Sequence, residues 1–95
     1  SPPDAAAWVA AFPEGAARSA GIKEVVSRWL ERDAAAVFTW KADLANPSVR
    51  NEVLAALVEI SSEQGSGGWL AKADEGTRAA IEAKRKEAGH DNPPP

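Results

Sequence analysis

Trp8-Val9-Ala10-Ala11-Phe12-Pro13-Glu14-Gly15-Ala16-Ala17-Arg18 decides the fold, because the chain says it twice. Moving 32 residues forward from Trp8, Phe12, Gly15, Arg18 and Ile22 lands on Trp40, Leu44, Pro47, Arg50 and Leu54. In both copies the order is apolar, apolar, breaker, arginine, apolar. A third, degenerate copy starts at Trp69 and reaches Arg78 one residue early. A pattern recurring every 20–50 residues is the mark of a repeat architecture, in which each unit buries its apolar face on its neighbour.

Each copy reads as two helices around a corner. Ala5, Trp8, Val9 and Phe12 fall on one face of a 3.6-residue period, and Pro13-Glu14-Gly15 ends that helix. A second helix is expected over 16–32, where Ile22, Val25, Val26, Trp29 and Leu30 keep the same spacing. Gly21 interrupts it, and close approach of another helix is the expected reason. Asp33 is placed as the cap of a third helix over 34–45, the alternative being one long bent helix through this point. Asn46-Pro47 opens a fourth over 47–64, with a broad apolar stripe from Val49 to Ile60. Gly65-Ser66-Gly67-Gly68 breaks the chain, a short fifth helix is expected over 66–73, and Asp74 caps a sixth over 75–88 that Gly89 stops.

The expectation is an all-α fold, three helical hairpins in a short right-handed array. The domain spans 1–89 in units of about 1–32, 33–64 and 65–89, followed by a disordered tail over 90–95. The 21 alanines suit this, since alanine has the highest helix propensity and lets helices approach closely. With no cysteine, neither disulfides nor thiolate metal sites are available. A net charge of −3 and a pI near 5.1 argue against nucleic acid as a partner, and no apolar run is long enough to span a membrane. The chain has no methionine and begins at Ser1, so it reads as a processed product or a fragment of something longer.

These hairpins resemble the tetratricopeptide and HEAT classes of helical repeat. They are more similar still to the alanine-rich repeats of about 30 residues, with one tryptophan per helix, found in uncharacterised bacterial proteins. The resemblance implies an α-hairpin array that binds through its surface, without implying a ligand. The period of 32 differs from the tetratricopeptide period of about 34, and that repeat's Gly-Tyr and Ala-Phe marks are missing.

Four tryptophans in a chain poor in leucine are expected mainly in the core, each burying on the order of 200 Å². Trp69 is the expected exception, an exposed anchor for a protein or peptide, because it follows the glycine run in the thinnest unit. Arg18, Arg50 and Arg78 sit early in the second helix of each hairpin, where a cation opposes the helix dipole. That recurrence calls for stacking on the unit's tryptophan, or for hydrogen bonds to the last carbonyls of the preceding helix. The functional alternative is an arginine row that binds a carboxylate-rich peptide. Lys84-Arg85-Lys86 complements the dipole at a helix end.

Catalysis has little material. The one histidine, His90, is in the expected tail, and the pairs Asp74-Glu75 and Glu59-Glu63 suit capping and solubility. The glycine run lacks the lysine of a phosphate loop. No catalytic, metal-ligating or cofactor-binding residue is assigned. The expected function is a protein–protein interaction or scaffolding module; the alternative is a small accessory subunit packed permanently in a larger complex.

Overall fold

The structure of the protein is a computed structural model describing residues 1–65 and 67–90, the side chains of 88–90 excepted. It is all-α. Among the described residues there are four α-helices where about six were expected: α1 (Pro2–Ala10), α2 (Ala16–Asp43), α3 (Pro47–Gln64) and α4 (Glu75–His90). The body is elongated, 48 × 27 × 20 Å, with a radius of gyration of 13.7 Å. A compact chain of this length would have about 12 Å.

The shortfall has two physical causes. At Asp33 a single residue leaves the helical region (φ −160°, ψ 83°), and its Oδ1 accepts a hydrogen bond from the Ala36 amide at 3.2 Å. Asp33 therefore caps as expected, but no loop separates the two segments, and α2 runs on through the kink. The fifth helix is reduced to one 3-10 turn, Trp69–Lys72. Only four residues lie between Gly68 and the extended Ala73, too few for α-helix propagation after a costly first turn.

The other boundaries follow local chemistry. In α3, Asn46 Oδ1 accepts from the Ser48 amide at 2.9 Å, Pro47 takes the first position, and Gly65 ends the helix at φ +78°, a conformation disfavoured for other residues. In α4, Asp74 Oδ1 caps the Thr77 amide at 2.7 Å. The helix continues through Gly89, the expected stop, to His90, and the rest of the expected tail lies outside the described residues.

One core runs through α1, α2 and α3. Ile22, Val26, Trp29 and Leu30 precede the kink, Ala34, Val37 and Phe38 follow it, and α3 adds Val49, Val53, Ala56, Leu57 and Ile60. The α3 positions are 4% exposed or less, which makes it the central helix. α1 closes one end by seating Val9 on Gly21. A Cβ built at Gly21 would lie 2.7 Å from Val9 Cγ1, the close approach expected there. Val9 is stiff and buried, so Gly21→Ala is expected to destabilise by about 1–3 kcal/mol despite its better helix propensity. Gly76→Ala meets no atom nearer than Asp74 Oδ1 at 3.9 Å and is expected to stabilise by up to about 1 kcal/mol. Urea unfolding of the two variants side by side checks the contrast.

Thr77 is fully buried beside the cap of α4, where its amide donates to Asp74 Oδ1.

Candidate functional site

The corner arginines do one thing in all three copies. Arg18 Nη1 donates to the Phe12 carbonyl at 3.3 Å, and Arg50 Nη2 to the Leu44 carbonyl at 2.6 Å. Arg78 donates to the Leu70 and Ala71 carbonyls at 3.3 and 2.8 Å. Each acceptor belongs to the end of the segment before the bend, where helical carbonyls lose their internal donors. The guanidinium supplies those donors and ties the turn to the helix that follows.

The first corner does more. Arg18 is buried at 5% exposure. Its Nε lies 3.2 and 3.0 Å from the Glu52 carboxylate oxygens, and its Nη2 forms an ion pair with Oε2 and donates to Ser48 Oγ at 2.8 Å. Ser19 Oγ donates to the same carboxylate at 3.2 Å. One side chain thus links the turn after α1, the start of α2 and the start of α3. The hydrogen bonds from Arg18 hold the Glu52 carboxyl below the usual range against the opposing effect of burial, and Glu52 raises Arg18 in turn. A second pair, Lys41 Nζ to Asp74 Oδ2 at 3.1 Å, joins α2 to the cap of α4. Burial pushes the Asp74 carboxyl up, but hydrogen bonding from Thr77 and Lys41 outweighs it and leaves the carboxyl lowered.

These bonds engage all three arginines of the expected row within their own chain. Arg18 is buried and engaged on both edges of its guanidinium, so it is closed to a partner. Arg50 and Arg78 are exposed, but both also serve carbonyls of their own chain.

No family model, curated protein or solved structure matches the chain.

The expected exposed anchor, Trp69, is half-buried against the core, its ring 6.0 Å from that of Phe38. Phe38 supplies the cover that was not expected at Trp69. Trp40 is covered as well, with Trp29 of the first unit 5.6 Å away. Trp8 has no such cover: it is 68% exposed, the one large exposed hydrophobic among the described residues, and its edge-to-face neighbour is Phe12 at 4.7 Å. The register carries the signal that would have found it. Trp29 lies against Trp40, whereas the aromatic neighbour of Trp8 among the described residues is Phe12 of its own segment. Ala5 is likewise exposed where its counterpart Val37 is fully buried.

Beside this face a groove of about 500 Å³ separates the start of α1 from α2, lined by Pro2, Ala5, Val25, Arg28 and Arg32. At the far end of the molecule two adjoining grooves of about 230 and 440 Å³ follow the α3–α4 seam and share Val58 and Lys84. Among the described residues no three His, Cys, Asp or Glu side chains gather as a metal would require, and no helix is long and apolar enough to cross a membrane.

Proposed function

We propose that the protein is a non-catalytic interaction or scaffolding module: a short right-handed array of three helical hairpins, without a cofactor, that takes a protein or peptide on its Trp8 face. The observation that carries this reading is the difference in cover at one repeat position. Trp40 and Trp69 are packed against the body, while Trp8 is 68% exposed. An indole held on a helix is the kind of rigid anchor that dominates binding energy at interfaces. The thrice-repeated arginine corner supports the hairpin array, because the same donor serves the same turn in each copy.

A single knob of this sort fits docking better than permanent burial in a complex, for which a broad flat apolar patch is expected. Arg50 and Arg78 are exposed and carry further N–H donors for carboxylates of a partner. The test is capture of proteins from the native source on the immobilised chain, with Trp8→Ala beside the unaltered protein. Specific proteins are expected to be lost with Trp8→Ala and retained with Trp69→Phe. An identical captured set on Trp8→Ala would sink the reading.

A further inference from the structure

We propose that the partner on the Trp8 face is a second copy of this chain, joined head to tail: α1 of one copy lies along the α3–α4 seam of the next, with Trp8 entering the groove beside Ser61. The inference rests on the reading of Trp8 as a docking residue and goes further by naming what covers it.

Trp29 is 4% exposed and packs at a tilt against Trp40, the ring centroids 5.6 Å apart. Thirty-two residues later the same register holds Ser61, and there the structure leaves a groove of about 230 Å³, lined by Val58, Ser61, Ile81 and Arg85 among others. One end of the molecule thus lacks an indole at the position where the chain elsewhere uses one. The other end exposes an indole with nothing over it.

Charge agrees with this fit. From Ser1 to Ala17 there is no lysine or arginine, while Asp4 lies one turn before Trp8 on the same side of α1 and Glu14 follows at the bend. The rim of the seam carries Lys84 and Arg85, both exposed and in no ion pair among the described residues. Glu59, which borders the adjoining groove, is already paired with Lys23 at 3.2 Å. Acidic knob and basic rim steer the two ends together and hold α1 away from other copies of itself. Beyond Ser61 the adjoining groove presents Leu54, Ala55, Val58 and Ala80, an apolar track for Phe12 and the alanines of α1. Because the two surfaces differ, the contact is heterologous and does not use itself up: each added copy exposes a fresh Trp8 or a fresh seam.

The test uses the full chain in sedimentation equilibrium from micromolar to millimolar concentration, at low and high salt. The unaltered protein is expected to grow in mean mass with concentration, less so in high salt. Trp8→Glu alone, and Lys84→Glu/Arg85→Glu alone, should each remain monomeric. All three substitutions fall on exposed side chains, and unchanged circular dichroism confirms that both variants fold. Mixing the two variants should give a one-to-one complex and nothing larger, since one keeps the seam and the other keeps Trp8. A monomer at every concentration, self-association that survives Trp8→Glu, or no complex in the mixture would each overturn the proposal. A monomeric chain that still loses specific captured proteins with Trp8→Ala would remove this inference and leave the docking reading standing.

Discussion

Trp29→Ala is expected to lower stability by about 3–5 kcal/mol, read as a fall in the urea midpoint. The indole is 4% exposed and packs at a tilt against Trp40, so its removal leaves a cavity in the core. A domain of this length has only about 5–14 kcal/mol in total, so the variant stands at the edge of folding. Trp8→Ala, in contrast, is expected to cost less than about 1 kcal/mol, since it gives up an edge contact with Phe12 and little burial. The two tryptophans are the same residue type and opposite in burial. Equal losses for the two variants would mean that Trp8 is covered in solution.

The next largest effect is expected in acid. Glu52 has a lowered carboxyl pKa in the native state, so the stability it contributes is full above the ordinary glutamate range and is lost as pH falls through its folded value. Arg18 is raised from an already high value and does not titrate in that window. Protonating Glu52 removes the counter-charge of a buried guanidinium and loosens three elements at once. Asp74, also lowered, acts in the same direction at the other end of the molecule. Glu52→Gln should therefore unfold at lower urea at neutral pH and show a flatter decline below the carboxylate range. A variant as acid-sensitive as the unaltered chain would show that the Arg18 corner is not what acid breaks. The exposed pairs of Lys23 with Glu59 and Glu63 are worth little, and their removal should leave the pH profile unchanged.

Local rules carried most of the architecture. Asn46-Pro47 and Gly65 bound α3 at the expected residues because capping and left-handed backbone depend on neighbours in sequence. The arginine corners were legible for a different reason: an unfavourable placement that recurs three times calls for a common partner, and the carbonyls of the preceding turn are within reach. Asp33 shows where such rules stop. Its capping bond formed as expected, but whether one non-helical residue separates two helices or kinks one depends on how the segments pack.

The candidate site was much less legible. Exposure is set by what lies above a side chain, and at Trp69 that is Phe38, some thirty residues earlier in the chain. Glu52 and Lys41 were missed because the repeat does not predict them: their counterparts one unit earlier are Ala20 and Val9, so no recurrence marks either partner. Trp8 was readable only by asking which unit covers each copy of the repeat position, a question of neighbours in space.

The claim that the first copy of this position is open, while the later copies are closed, is tested most directly by quenching of intrinsic fluorescence. In dilute solution, iodide or acrylamide should quench one component of the tryptophan emission strongly. Trp8→Phe should remove that component and shift the remaining emission to shorter wavelength, whereas Trp69→Phe should leave it in place. A strongly quenched component that persists without Trp8, or that disappears with Trp69, would contradict the account.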